Sequence, residues 1–254
     1  MKISIVVEKG PGKDECEDAV LAGTEVVNEG EAVFDREPFC ICAADGVGGN
    51  RGGKDAAQFL VRSLGGTETF DLSADTVKTY LQDMNRALLE SARELGDKRN
   101  MAAALTGLFI TPSECVLYHS GNTRLYVLQG RYLKQMTKDQ TTYQWLLHRD
   151  GYEAAQACNK NELTGCFGGG DIKFLDRLSV SEVFENGLPE VFLFTSDGVH
   201  DYVDIDTLEE IIADSHEDLA TAREIIKIAN NHGSVDDKTI IIVRNRCCVN
   251  TKSM

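Results

Sequence analysis

Phe39-Cys-Ile-Cys-Ala-Ala-Asp45-Gly-Val-Gly-Gly49 is an apolar run closed by an aspartate and a cluster of glycines. From Phe39 to Ala44 no polar residue alternates with the apolar ones, the pattern of a strand buried on both faces, although so short a run also fits a helix segment. An ionised carboxylate at the mouth of an apolar layer is costly unless a cation or strong hydrogen bonds compensate it. The glycines behind it permit positive φ and let backbone carbonyls come close to a ligand. The stretch therefore predicts a metal site at Asp45.

Three other segments fit the same site. Val191-Phe-Leu-Phe-Thr-Ser-Asp197-Gly198 repeats the form, an apolar run ending in Asp-Gly, so two buried strands would deliver two carboxylates. In Ser234-Val-Asp236-Asp237-Lys-Thr-Ile-Ile-Ile-Val243 the acids precede the strand, and an antiparallel neighbour would bring that end alongside. Glu17-Asp18 stands before a short apolar segment near the N-terminus.

The order Glu17-Asp18, Asp45-Gly-Val-Gly-Gly49, Ser120-Gly-Asn-Thr-Arg124, Thr195-Ser-Asp197-Gly198 and Asp236-Asp-Lys-Thr239 resembles the metal-dependent type-2C (PPM) protein serine/threonine phosphatases, in their bacterial-like catalytic domain. Their pattern reads Glu-Asp, Asp-Gly-x-Gly-Gly, Gly-Asp-Ser-Arg, Ser-Asp-Gly and Asp-Asn-x-Thr. An Asp-Gly turn alone is common, but five segments in the right order with strand context are specific, and they span Lys13 to Val243. The resemblance implies two Mn²⁺ or Mg²⁺ ions, which suit hard oxygen donors. Asp45 would bridge both, the Gly46 carbonyl would help to hold one, Asp197 and Asp236 would complete the other, and Glu17 and Asp18 would bind water or metal at the rim. Two-metal hydrolases of this kind activate a shared water for in-line attack. The catalytic residues expected on this basis are Asp45, Asp197 and Asp236.

The departures from the pattern carry their own expectations. Lys13 stands where the family usually has an arginine that holds the substrate phosphate, and lysine lacks the bidentate fork; the plain alternative is a surface lysine in a loop. Val47 replaces the histidine of animal-type members. Asn122 replaces an aspartate that binds a weak third metal, and an amide offers a carbonyl without charge, so a third ion is in doubt. The alternative for Gly121-Asn122 is a turn between strands.

Length and composition bound the rest. The 254 residues, 42% hydrophobic and 26% charged, have four prolines and no linker-like tract, which predicts one domain over residues 1–254; the resemblance implies a single catalytic domain with a variable flap at 140–170, for which an ordinary surface excursion is the alternative. A net charge of −15 argues against a nucleic-acid partner, and bound cations would reverse the field locally for an anionic substrate. The N-terminal segment lacks the features of a signal peptide, and no stretch approaches a membrane span, so a cytoplasmic protein is expected. The eight cysteines are scattered, with Cys40 and Cys42 in the buried run and Cys247-Cys248 too isolated for a zinc site.

Other motifs are weaker. Gly48 to Lys54 fits Gly-x4-Gly-Lys of a nucleotide-binding loop, but Asp55 stands where Ser or Thr should bind Mg²⁺. Ser196, His200 and Asp201 are crowded without a nucleophile elbow. His119 and His148 have no ligand-like spacing and are expected in core or surface roles.

Strands are expected at 2–8, 19–27, 38–45, 102–111, 115–120, 123–129, 172–180, 190–196 and 238–244. Helices are expected at 54–64, 73–95 with Ser73 as N-cap, 143–149, 206–214 and 218–230. Strand runs around two helix pairs predict an α+β fold, a four-layer alpha-beta-beta-alpha sandwich of two mainly antiparallel sheets flanked by helix pairs, as the resemblance also implies. The expected function is hydrolysis of phosphoserine and phosphothreonine on proteins, opposing a serine/threonine kinase. A catalytically weak binding or regulatory module of the same fold is the alternative.

Overall fold

Apolar runs alternate with amphipathic segments along the chain, and each run becomes a strand that needs cover on both faces. In chain order the elements are β1 (Lys2–Glu8), β2 (Asp18–Ala22), β3 (Glu25–Val27), β4 (Gly30–Asp35), β5 (Cys40–Gly46), α1 (Gly53–Gly65), α2 (Ala74–Glu94), β6 (Ala102–Ile110), β7 (Cys115–Ser120), β8 (Arg124–Gln129), β9 (Tyr132–Gln135), α3 (Thr142–Arg149), α4 (Tyr152–Gln156), β10 (Phe167–Gly168), β11 (Ser179–Glu182), β12 (Val191–Thr195), α5 (Asp197–His200), α6 (Ile205–Ala213), α7 (Asp218–Asn231) and β13 (Lys238–Arg244). This computed structural model describes residues 1–48, 52–67, 70–112, 114–184, 187–215 and 217–245. Gly49, Asn50 and Arg51 of the glycine loop, and Cys247-Cys248, lie outside the described residues.

Two antiparallel sheets form. One has the order β4-β1-β13-β12-β8-β9, the other β11-β7-β6-β5-β2-β3 with β10 also paired to β6. Their facing sides share a core that includes Ile3, Ile5, Ile41, Leu108, Phe192 and Ile241. The outer face of the second sheet packs on α1 and α2 through Leu60, Leu81, Leu88 and Phe109. The outer face of the first packs on α6 and α7 through Leu193, Leu208, Ile225 and Ile242. Four layers result, as expected.

The helices obey their local signals. Ser73 caps α2, its hydroxyl accepting from the Thr76 N–H at 3.3 Å. From there Val77, Leu81, Met84, Leu88 and Ala92 line the buried stripe. Each fully buried leucine of this kind contributes about 1.5–3 kcal/mol. Asp204 caps α6 in the same way, accepting from Thr207 N–H at 2.9 Å.

Two strand expectations need correction, and further strands lie outside the expected ones. The segment 172–180 is not one strand: Ile172–Leu175 is a 3-10 turn, nucleated by the Asp171 carboxylate accepting from Lys173 N–H at 3.0 Å, and only Ser179–Glu182 pairs with β7. The segment 19–27 is a hairpin of β2 and β3. Finally, β4 and β9 are edge strands whose charged, half-exposed residues resemble loop sequence.

Candidate metal centre

The two apolar runs end where they should for a shared site. β5 lies in one sheet and β12 in the other; Asp45 is the penultimate residue of β5, and Asp197 opens α5 two residues after β12. Asp18 and Asp45 are direct register partners across β2 and β5, so two carboxylates stand opposite one another on neighbouring strands, a destabilising pairing without compensation. β13 runs antiparallel to β12 and β1, which brings Asp236 and Asp237 to this same end.

The electrostatics of the cluster are those of an acidic site in need of a cation. Burial, then the Asp18, Asp197 and Asp236 charges, push the Asp45 carboxyl well above its ordinary value. Burial and the charges of Asp237 and Asp197 raise Asp18 to about 7. Burial, Asp236 and Asp201 raise Asp197 to about 6 against the lowering effect of the Asn122 amide. A divalent ion would reverse each of these shifts.

Asp18 supplies a sharper observation. Its Oδ2 accepts from Thr239 Oγ1 at 2.7 Å, while its buried Oδ1 has no partner among the described residues. Buried carboxylate oxygens are rarely left so, and an orphaned one beside Asp45 fits a cation or its water. Among the described residues no three His, Cys, Asp or Glu side chains are arranged to hold an ion alone. The donor set of carboxylates and backbone oxygens fits hard divalent ions.

Backbone closeness sets the walls. A Cβ on Gly46 would meet the Gly53 carbonyl oxygen at 2.6 Å and the Glu17 Cβ at 2.9 Å, and one on Gly198 would meet the Asp237 carbonyl oxygen at 2.0 Å. Glycine is required at both places for the strands to converge. The Glu17 carbonyl accepts from Gly46 N–H at 3.2 Å, tying the N-terminal loop to the end of β5.

Lys13 points into the acids. Its ammonium pairs with Asp236, with Asp237 Oδ2 at 3.0 Å and with Glu17 Oε2 at 3.5 Å. Burial would lower its pKa, but hydrogen bonds and charges from Asp236 and Asp237 outweigh this and raise it. The sequence pattern assigns Asp237 no role, and its place explains it. Its buried carboxylate accepts from the Gly10 and Glu17 N–H groups, each at 2.7 Å, and so clamps the loop that carries Lys13 and Glu17. Lys238, fully buried, donates to the Asp236 carbonyl at 2.9 Å and fixes the start of β13.

Asn122 is buried and its amide donates to Asp197 Oδ2 at 2.9 Å. It therefore orients the carboxylate at the end of β12, whatever else it binds. Beside it a cavity of about 150 Å³ is lined by Arg124, Asp139, Lys160, Asp197 and Asp201 among others. Arg124 holds Asp139 with Nε to Oδ1 at 3.0 Å and Nη2 to Oδ2 at 2.6 Å, anchoring the chain where it enters 140–170.

The weaker motifs resolve differently. Lys54 pairs with Glu15 at 2.9 Å and Asp55 with Lys98 at 2.6 Å, so both flank the loop as surface ion pairs. Ser196 Oγ accepts from Thr239 N–H at 2.8 Å, and His200 Nδ1 meets Thr195 Oγ1 at 2.8 Å, so no triad forms. His119 is a core residue held by Thr106 and the Lys138 carbonyl, and His148 is exposed.

No family model matches the chain. The serine/threonine phosphatase stp of Listeria monocytogenes is 29% identical over 219 residues, 82% of this chain and 85% of that protein. Protein phosphatase PhpP of Streptococcus pneumoniae is 25% identical over 96% of this chain and 97% of its own. The crystal structure of the Mycobacterium tuberculosis serine/threonine phosphatase PstP/Ppp superposes with a TM-score of 0.74 over 95% of this chain and 98% of that one, at 22% identity. In sequence and in fold the chain is therefore similar to bacterial protein serine/threonine phosphatases. No described helix is long and apolar enough to cross a membrane.

Proposed function

We propose that the chain hydrolyses phosphoserine and phosphothreonine on proteins, with two Mn²⁺ or Mg²⁺ ions, as one catalytic domain whose residues 140–170 form a flap. The observation that carries this reading is that Asp18, Asp45, Asp197 and Asp236 lie at one end of the two sheets, Asp18 opposite Asp45, with a buried Asp18 oxygen left unpaired. Asp45, Asp197 and Asp236, with the Gly46 carbonyl and the Glu17 and Asp18 carboxylates, are the groups that would hold such ions, directly or through water. Such ions, when bound, acidify water and neutralise phosphate charge.

The protein's own groups do the remaining work. Asn122 holds Asp197 in one rotamer, Thr239 orients Asp18, and Asp237 fixes the loop bearing Lys13. Lys13 is the cation nearest the acids and would turn to an entering phosphate once ions satisfy its carboxylate partners. An opposing serine/threonine kinase supplies the substrate.

The second reading is a catalytically weak module, favoured by the engagement of Lys13 with Asp236, Asp237 and Glu17. Turnover of p-nitrophenyl phosphate and of a phosphothreonine peptide, measured with Mn²⁺ and with EDTA, separates the two. Activity is expected only with metal, and Asp45→Ala should lower it at least about a hundredfold with the fold intact by circular dichroism. Equal rates in EDTA after metal stripping would overturn the metal mechanism.

A further inference from the structure

Among the described residues, Arg36, Arg86, Arg124, Arg131, Arg149, Arg223 and Arg244 each form an ion pair with a carboxylate, while Arg62 and Arg177 stand apart from one another without one. Arg93, in the last turn of α2, and Arg99, just beyond it, also lack one. Both are exposed, and among the described residues neither has a side-chain hydrogen bond or ion pair. They line one cavity of about 230 Å³, completed by Leu89, Asn100 and Gly170 and containing no carboxylate. The adjoining groove shares Arg93 and Gly170 but is mixed in charge, with Glu90 and Asp171 beside Arg86, so the two arginines meet without a carboxylate only in the smaller cavity.

The cavity is built by close approach. Gly170 has φ +80°, and a Cβ there would meet Asn100 Oδ1 at 2.6 Å, so any side chain would crowd the opening. Two guanidinium forks and a side-chain amide around a small space match a tetrahedral oxyanion.

Its position relative to the catalytic centre is fixed by the sheet. The Met101 carbonyl accepts from Gly169 N–H at 3.0 Å, the Ala102 carbonyl accepts from Val47 N–H at 2.9 Å, and Ala103 is the register partner of Gly46. Four residues from Arg99 to Ala103 span at most about 14 Å. The strand pair adds about 5 Å. Arg99 therefore lies within about 20 Å of Gly46, a distance that about six extended residues bridge.

We propose that Arg93 and Arg99 form an accessory phosphate site, which holds a second phosphate on a substrate whose hydrolysed residue lies within about six positions. The substrate half rests on the phosphatase reading; the anion site does not. In EDTA, inorganic phosphate titrated into the full chain and followed by NMR should bind saturably, and Arg93→Ala/Arg99→Ala should abolish this. In Mn²⁺, a peptide with two phosphates about five residues apart should show a kcat/KM about tenfold above its singly phosphorylated form. The double variant should erase that difference and leave p-nitrophenyl phosphate turnover unchanged. Should Arg93→Ala weaken the α2 terminus, Arg99→Ala and Arg93→Lys carry the test, the first losing most of the affinity and the second part of it, because lysine keeps the charge without the fork.

Phosphate binding that persists in the double variant, or is absent in the parent, overturns the site. Phosphate binding with equal kcat/KM for the two peptides assigns the site to free phosphate and overturns its role in substrate choice. No turnover of either peptide refutes the phosphatase reading instead, and the EDTA titration still decides the anion site.

Discussion

Asn122→Asp puts a charge against the most exacting contact of the site. The amide donates to Asp197 Oδ2 at 2.9 Å from a buried position. Aspartate removes that donor and sets two carboxylates in contact. Losing a hydrogen bond to a charged acceptor costs roughly 1.5–3 kcal/mol. Repulsion between the two charges is worth up to about 4 kcal/mol at an effective dielectric near 20, although one carboxylate would take up a proton and relieve much of it. A net loss of about 3 kcal/mol is expected in the metal-free protein, or roughly 6–12 °C in Tm for a domain of this size. Asn122→Ala, which only deletes the donor, should lose about half as much. The assay is thermal unfolding in EDTA and across an Mn²⁺ series, with turnover measured in parallel. Mn²⁺ should recover most of the lost stability, because a cation between two carboxylates turns repulsion into ligation, and half-maximal rate should need less metal. A variant with parental Tm in EDTA would refute the contact, and superimposable Mn²⁺ titrations would refute a third-ion role for an acid at this position.

The metal-free protein should lose stability as pH rises. Asp18 and Asp197 are raised from 3.8 to about 7 and about 6, so the folded state binds more protons; their contribution is present below pH about 4 and lost as pH climbs through 6 to 7. Saturating Mn²⁺ should flatten this decline, and an Mn²⁺ effect on Tm that is the same at pH 5 and pH 8 would contradict it. Asp237→Asn leaves one acceptor oxygen for donors from Gly10, Glu17 and Lys13, so one buried N–H goes unpaired at about 1–3 kcal/mol; an unchanged urea midpoint would remove Asp237 as the loop clamp. Lys54→Ala should leave metal-dependent turnover intact, and ATP should not raise Tm; an ATP-dependent rise that vanishes in the variant would restore the nucleotide-loop reading.

The sequence alone determined the elements whose signals are local. Phe39 to Asp45 and Val191 to Asp197 read as buried strands ending in acids because burial on both faces removes alternation. Ser73, Val77 and Leu81 marked α2 because a cap and a stripe are written within a few turns. The order of the acidic segments also indicated the phosphatase resemblance. Edge strands β4 and β9 escaped notice because half-exposed, charged residues carry little strand signal, and Ile172–Leu175 misled because a side-chain cap from Asp171 outweighed its apolar alternation. Only the tertiary structure decided the partners. Asn122 and Asp197 are 75 residues apart, Gly10 and Asp237 are 227 apart, and Arg93 and Arg99 share a cavity with Gly170. Such contacts depend on sheet order and register, which bring distant segments to one end of the sandwich, and no local pattern of residues encodes which side chain a given acid or arginine will face.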